Sequence, residues 1–307
     1  MGAGILNRYG VVSDEISDDP ELAFPVAREL GMVAVDLNSV WDRQVTDLDD
    51  AAVRRLRGLL DAFGLRPFMV AGLPFKTLPV AGLTPEALVA SPAFADHMRI
   101  LERSLEIASA LGAPCARVHA FAWPPAVPGG PAGTPGRRPG GGEIPDDVLP
   151  TIAAGLRAAC ARAKAHGCFL GLENVRASYG NTGRNLRTVV GAVADPALRI
   201  VWDPANAFVA GEERPFPDGY AAVQPFVSHV HCKDARLVDL ASGKTAWACI
   251  GDGAVDWPGQ LRALAADGYE GLLCVETHWT PAGGTGEQAT RTAYASLRRI
   301  RDGVVGA

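Results

Sequence analysis

The feature that most constrains the fold is an alternation of short apolar runs with longer helical patterns, repeated eight times along the chain. The runs are rich in β-branched residues, which is typical of buried parallel strands. They begin at Tyr9, Met32, Arg66, Cys115, Cys168, Leu198, Phe226 and Glu270. Strands that alternate with helices indicate a parallel sheet, and eight such units favour a closed (β/α)8 TIM barrel over an open doubly wound sheet. We therefore predict a single α/β domain that covers residues 1–307.

The helical patterns carry terminal signals that support this division. The segments "SDDPELA" and "TDLDDAA" place acidic residues before two helices, where a carboxylate can accept hydrogen bonds from free N–H groups. Several helical patterns also end in Gly just before the next apolar run, as helices with a glycine C-cap do. The boundaries of the eight units are therefore marked at both ends.

Composition and motifs exclude several classes of protein. A net charge of −5 disfavours a nucleic-acid surface, which needs a cationic face. No GxGxxG motif follows the first apolar run, and no run of about 18 apolar residues could span a membrane. The N-terminus lacks the pattern of a secretory signal, and the 6 cysteines have no CxxC spacing. We therefore expect a cytoplasmic protein with reduced thiols that binds neither nucleic acid nor membrane, and a homo-oligomer is compatible with the sequence.

One segment does not fit the repeated unit. Residues 123–142, "WPPAVPGGPAGTPGRRPGGG", contain too much Pro and Gly for regular structure. The segment follows the fourth predicted strand, which places it on the face where barrel enzymes carry their active sites. It is predicted to be either a lid over that face or a tolerated surface insertion.

Four ionisable residues end four successive predicted strands. Glu173 ends the fifth strand, Asp203 the sixth, His231 the seventh and Glu276 the eighth. A barrel brings the carboxyl ends of its strands together around one mouth. Three carboxylates and one imidazole at that mouth would repel one another without a cation. This set of oxygen ligands with one nitrogen suits one divalent ion; we favour Mn²⁺, with Mg²⁺, Co²⁺ and Zn²⁺ as alternatives.

The same residues carry a resemblance to a known family. From "YGVVSDEISDDPELAFPVARELGMVAVDL" to "GDGAVDWPGQLRALAADGYEGLLCVETHW", the chain resembles the sugar phosphate isomerase/epimerase superfamily, the xylose isomerase-like TIM barrels. The resemblance implies that Glu173, Asp203, His231 and Glu276 bind one divalent metal. The block "HVHCKD" is similar to the family's seventh-strand motif, in which the second His binds metal. His229 is then a supporting or substrate-facing residue, although the reverse assignment of the two histidines stays open.

The resemblance also implies a reaction on a small carbohydrate or cyclitol. A metal that binds a substrate carbonyl and a neighbouring hydroxyl acidifies the adjacent C–H and stabilises an enediolate. Glu173 and Glu276 are the predicted catalytic bases, because a carboxylate that binds metal through one oxygen keeps the other free. Two bases on opposite faces of the substrate would give epimerisation, and one base would give aldose–ketose isomerisation.

Five further residues are predicted to bind substrate: His119, Asn206, His229, Lys233 and Arg236. Lys233 and Arg236 would hold substrate oxygens or a phosphate; for Lys233 the alternative is a position on the face opposite the metal ligands, in an ion pair with Asp234. Asn174, beside Glu173, is expected to donate hydrogen bonds to hydroxyl groups. Ketose 3-epimerases and endonuclease IV have a His where this chain has Asn206, which disfavours both of these functions.

Two other hypotheses remain at this point. A dehydratase of the inosose or 3-dehydroshikimate type would use the same metal-assisted proton removal, with His119 or His229 as the acid for the leaving hydroxyl. A metal-free binding protein on a degenerate barrel is disfavoured, because four charged residues are costly to keep buried and unpaired.

Overall fold

The chain folds as a closed barrel of eight parallel strands. The computed structural model describes residues 6–124, 142–239 and 243–305. The barrel strands are β1 (Tyr9–Val12), β2 (Ala34–Leu37), β3 (Arg66–Val70), β4 (Cys115–Val118), β5 (Phe169–Glu173), β6 (Leu198–Trp202), β7 (Val227–Cys232) and β8 (Leu273–Val275). Each strand pairs with the next in the chain, and β8 pairs with β1 to close the barrel. Every strand lies within one of the eight predicted runs, so the predicted (β/α)8 barrel is confirmed.

Helices surround the barrel and connect its strands. They are α1 (Pro20–Glu29), α2 (Asp50–Phe63), α3 (Pro85–Val89), α4 (Pro92–Leu111), α5 (Leu149–Ala165), α6 (Gly183–Val193), α7 (Pro204–Ala210), α8 (Tyr220–Val223), α9 (Trp257–Ala266) and α10 (Gly286–Val305). The predicted acidic caps are present: Asp19 accepts the Glu21 N–H, and Asp49 accepts the Ala52 N–H. None of the described helices is long and apolar enough to cross a membrane.

Small and apolar side chains fill part of the barrel interior. Met69 on β3, Cys115 on β4 and Val201 on β6 belong to one small buried cluster. The side chains of this cluster approach Gly171 on β5, where an added Cβ would lie 2.7 Å from Val201 Cγ2 and 2.8 Å from Cys115 Sγ. Because β3 and β6 are not neighbours, these contacts place the cluster inside the barrel. Glycine is needed at this position because the barrel leaves no room for a side chain.

Two short hairpins extend from the carboxyl ends of the barrel strands. One pairs Ser39–Val40 with Arg43–Gln44 after β2, and the other pairs Asp234–Asp239 with Lys244–Ala248 after β7. The predicted lid or insertion, residues 123–142, lies outside the described residues except at its ends. At one of those ends Trp123 packs on Tyr179, with ring centroids 4.9 Å apart.

Asp234 anchors the second hairpin through backbone hydrogen bonds. Its Oδ1 accepts the N–H groups of Ala235 and Val255, and its Oδ2 accepts those of Gly251 and Gly253. The side chain is fully buried. The predicted ion pair between Lys233 and Asp234 is wrong, because both carboxylate oxygens of Asp234 accept backbone N–H groups and Lys233 Nζ pairs with Asp203 and Glu276 instead.

We predict that Asp234→Ala lowers the free energy of unfolding by about 3 kcal/mol, because buried N–H donors lose a charged acceptor. Asp234→Asn keeps one acceptor oxygen and should lose less. Denaturant unfolding followed by circular dichroism measures both values. The control is Asp61→Ala in an exposed surface pair with Arg57, which should change stability by less than about 0.5 kcal/mol. Equal losses for Asp234→Ala and Asp61→Ala would contradict the anchoring role.

Candidate metal centre

The four residues that end β5 to β8 converge at the mouth of the barrel. Glu173 is the last residue of β5, Asp203 follows β6, His231 lies in β7 and Glu276 follows β8. One candidate ligand atom from each side chain lies within 4.8 Å of the others, and all four residues are buried. The barrel thus brings together the set that the sequence singled out.

The ligand atoms can be named from their distances. His231 Nδ1 lies 3.0 Å from Glu173 Oε1 and 3.1 Å from Glu276 Oε2. Asp203 Oδ1 accepts the Asn206 N–H at 2.8 Å, which leaves Oδ2 to face the cluster. Among the residues the structure describes, Asp203 Oδ2 accepts no hydrogen bond of good geometry. The candidate ligand atoms are therefore Glu173 Oε1, Asp203 Oδ2, His231 Nδ1 and Glu276 Oε2.

Lys233 belongs to the same buried cluster. Its Nζ lies 2.9 Å from Asp203 Oδ2 and 2.5 Å from Glu276 Oε2, and the side chain is 1% exposed. The expectation that Lys233 lies on the opposite face is wrong, because residues two apart on a strand share a face and Lys233 follows His231 by two. Lys233 is thus positioned to neutralise two of the candidate ligands.

Arg117 on β4 is a member of the site that the sequence reasoning missed. Its Nη1 donates to Glu173 Oε2 at 3.1 Å, and its Nη2 donates to the Ala71 carbonyl and to Asn38 Oδ1. The side chain is 5% exposed. The signal in the sequence is an arginine inside the apolar run "CARVHAF", two residues before His119 and therefore on the same face.

His229 and Asp36 form a deeper layer of the barrel interior. His229 Nε2 lies 2.7 Å from Asp36 Oδ2, and the His229 ring stacks on Phe68 with centroids 4.3 Å apart. Both residues are fully buried, which is the environment expected of a supporting residue. Asp36 was also missed; its signal is a single charge in the run "MVAVDLNSV".

The other predicted substrate-binding residues occupy different positions. His119 is buried, with Nδ1 3.3 Å from the Pro74 carbonyl oxygen and with no described partner for Nε2. Asn206 lies in the first turn of α7 and is almost fully buried. Arg236 is exposed on the second hairpin, opposite Ala246. Asn174 holds the backbone of Asp203 through both atoms of its amide, so it is not free to bind a hydroxyl as expected.

A histidine at the rim of the site was not anticipated either. His278 adopts a left-handed backbone conformation with φ 48°. Glu15 accepts both its backbone N–H, at 2.9 Å, and a hydrogen bond from Nδ1, at 2.6 Å. His278 Nε2 then lies 3.6 Å from Glu276 Oε1, and its ring packs against Trp247. The rim therefore places an aromatic wall beside the second oxygen of Glu276.

Burial and pairing set the protonation of the carboxylates. Burial alone would raise the pKa of Glu173, but Arg117 and then His231 lower it to about 2. Burial likewise opposes ionisation of Glu276, yet Lys233 and His231 hold its pKa well below the usual value. For Asp203, burial outweighs Lys233 and raises the pKa. Burial lowers the pKa of His119 to about 3, with Arg117 acting in the same direction, so this imidazole is neutral at pH 7.

The charges of the cluster fit a divalent cation. Asp36, Glu173, Asp203 and Glu276 supply four carboxylates, whereas Arg117 and Lys233 supply two permanent cations. The carboxylates therefore outnumber these two cations, and a divalent ion would reduce the excess of negative charge. Burial lowers the pKa of His231, but Glu276 and Glu173 raise it well above its usual value, so the surrounding carboxylates favour a positive charge at this position. The three oxygens and one nitrogen suit Mn²⁺, Mg²⁺, Co²⁺ or Zn²⁺.

We predict that Lys233→Met destabilises the metal-free protein by about 3–5 kcal/mol, since Asp203 and Glu276 lose their buried counter-charge. Added Mg²⁺ or Mn²⁺ should raise the Tm of this variant more than that of the wild type. Thermal unfolding with and without metal measures the difference. The control is Lys164→Met, which removes a surface ion pair and should respond to metal as the wild type does. A metal-induced Tm shift that is the same in Lys233→Met and the wild type would contradict this role.

Comparisons with known proteins identify the family. A sequence profile described as xylose isomerase-like TIM barrel matches residues 24–300. An L-ribulose 3-epimerase structure is 17% identical, covers 97% of this chain and 95% of its own, and has a TM-score of 0.69. The structure of the probable 3-DHS dehydratase AsbF of Bacillus anthracis is 15% identical, covers 95% of this chain and 98% of its own, and has a TM-score of 0.65. A xylose isomerase-like TIM-barrel protein of Mycobacterium smegmatis in complex with magnesium is 18% identical, covers 93% of this chain and 89% of its own, and has a TM-score of 0.64. No curated protein matched the sequence. The chain belongs to the xylose isomerase-like TIM-barrel family.

Proposed function

We propose that this protein is a divalent-metal-dependent isomerase or epimerase that acts on a sugar, a sugar derivative or a cyclitol. The observation that carries the proposal is the buried set Glu173, Asp203, His231 and Glu276, with one candidate ligand atom of each within 4.8 Å of the others. Mn²⁺ is the favoured ion. A divalent cation held there would act as a Lewis acid on a substrate carbonyl and make the adjacent C–H easier to deprotonate.

The two glutamates differ in how free they are to act as bases. Glu173 Oε1 faces His231, and Glu173 Oε2 accepts a hydrogen bond from Arg117, so both oxygens are engaged. Glu276 Oε2 faces Lys233 and His231, whereas its Oε1 accepts no hydrogen bond from the described residues and lies 3.6 Å from His278 Nε2. We therefore assign proton abstraction to Glu276 Oε1 and give Glu173 mainly a ligand role.

A dehydratase is the second candidate, because a probable 3-DHS dehydratase shares this fold. Elimination of water needs an acid beside the leaving hydroxyl. Of the two acids that the sequence offered, His229 is sealed in the barrel interior against Asp36. Burial and then Arg117 keep the pKa of His119 near 3, so His119 holds no transferable proton at pH 7. These two observations favour isomerisation or epimerisation over water loss.

Deuterium exchange tests the reaction class. The metal-loaded protein is incubated in D₂O with candidate ketoses, inososes and dehydroshikimate, and the recovered compounds are analysed by NMR. Deuterium at a carbon next to the carbonyl, with an isomer or epimer as product, supports the proposal. Loss of water would favour the dehydratase. If none of these compounds exchanges in the presence of Mn²⁺ or Mg²⁺, the proposal is contradicted for these substrate classes.

We predict that Glu276→Gln and Glu173→Gln differ when metal is saturating. Glu276→Gln should lower kcat by roughly 10²–10⁴, the usual contribution of a positioned base. Glu173→Gln should weaken metal binding, and excess metal should restore more of its activity. The control is Glu102→Gln on the surface of α4, which should keep wild-type kinetics. Equal, unrecovered losses in both variants would favour two bases, and full recovery of Glu276→Gln would exclude Glu276 as the base.

A further inference from the structure

A second polar cluster lies directly beneath the candidate metal ligands. It consists of Asp36 on β2, His229 and His231 on β7, and Cys274 on β8, with one polar atom of each within 4.8 Å of the others. All four residues are 1% exposed or less. His231 belongs to both clusters, so the lower cluster can act on the metal site through this ring.

The lower cluster is organised around a single oxygen atom. Asp36 Oδ2 lies 2.7 Å from His229 Nε2, 3.1 Å from His231 Nε2 and 3.3 Å from Cys274 Sγ. A carboxylate is an acceptor only, so each of these three neighbours donates to it. His231 therefore carries a hydrogen on Nε2, where it faces Asp36.

The two nitrogens of His231 then have different tasks. Nε2 donates to Asp36, while Nδ1 faces Glu173 Oε1 and Glu276 Oε2 at 3.0 and 3.1 Å. In a neutral imidazole with its hydrogen on Nε2, the lone pair lies on Nδ1. Carboxylates that accept the second N–H of a metal-binding histidine fix its tautomer and its ring orientation.

We propose that Asp36 is a positioning residue that holds His231 with its Nδ1 lone pair directed at the divalent cation. The proposal rests on the proposed function, because it assumes that the upper cluster binds a metal. It assigns a reason to a charged residue in β2, a strand that contributes none of the four candidate ligands. It also accounts for a second histidine two residues before His231, because the rings of His229 and His231 donate to the same oxygen of Asp36.

The alternative reading of the lower cluster is a second metal site. It would require His231 to bind one cation through Nδ1 and another through Nε2. Asp36 Oδ2 already accepts hydrogen bonds from His229, His231 and Cys274. Phe68 also stacks on the His229 ring and covers one of its faces. The geometry thus favours a support beneath one metal over a pair of metals.

The test measures metal binding without substrate. Metal-free wild type and Asp36→Asn are titrated with Mn²⁺, and free Mn²⁺ is followed by electron paramagnetic resonance. Asp36→Asn keeps the size of the side chain but removes its charge, and the remaining amide oxygen is a weaker acceptor for the Nε2–H of His231. We expect its Kd for Mn²⁺ to rise by about 10–100-fold, the usual effect of losing such a partner. The matched control is Cys274→Ala, which removes another donor from the same oxygen and should change the Kd by less than about 3-fold.

A spectroscopic readout separates positioning from a general loss of structure. In the Zn²⁺-loaded protein labelled with ¹⁵N-histidine, His231 should show its hydrogen on Nε2 and the metal on Nδ1. Circular dichroism and thermal unfolding show whether Asp36→Asn is folded; if it is not, the nitrogen assignment of wild-type His231 decides the question.

The possible results are distinguishable. An unchanged Kd in folded Asp36→Asn, or Zn²⁺ on His231 Nε2, would overturn the role of Asp36 while leaving the metal site in place. Two ions per chain would overturn it in favour of a second metal site. Wild-type protein that binds no divalent ion would instead remove the proposed function, and the inference with it.

Discussion

The site depends on the compensation of charges that have been removed from water. Glu173, Asp203 and Glu276 are buried at the mouth of the barrel, where isolated carboxylates would be costly. Arg117 and Lys233 reach them from β4 and from the end of β7, so each carboxylate has a cation within hydrogen-bond distance. These ion pairs join neighbouring strands, whereas Asp36 on β2 contacts His229 and His231 on β7, and these two strands face each other only because the barrel is closed. The charges that make the site therefore also constrain how the strands close.

Much of the fold could be predicted because its signals are local. The period of the apolar runs and the caps at helix ends depend on neighbours in the sequence, and the carboxyl ends of parallel strands must meet. Glu173 and Glu276 could be found by this rule. Arg117 and Asp36 could not, since each is a single charge inside an apolar run, and its partner lies on another strand. The sequence shows that such a residue is unusual, but only the closed barrel shows which charge it meets.

Along β7 and the residue that follows it, side chains at every second position point to the same face. His229, His231 and Lys233 occupy every second position and point to one side, from the depth of the barrel to its mouth. Asp36 pairs with the lower two, and Glu276 with the upper two. Placing Lys233 on the opposite face concealed this column in the sequence. The motif "HVHCKD" thus places three polar side chains in one column, and the candidate metal centre lies beside its middle and upper members.

The same pairing gives the two glutamates unequal chemistry. A two-base epimerisation needs a free carboxylate oxygen on each side of the substrate carbon. Arg117 engages the second oxygen of Glu173, whereas the second oxygen of Glu276 faces His278 at the rim, 3.6 Å away. Arg117 compensates the charge of Glu173 and also occupies the oxygen that a base at this position would need. This asymmetry favours a single carboxylate that moves a proton between neighbouring carbons, and an epimerase on this scaffold would have to release Glu173 from Arg117 during turnover.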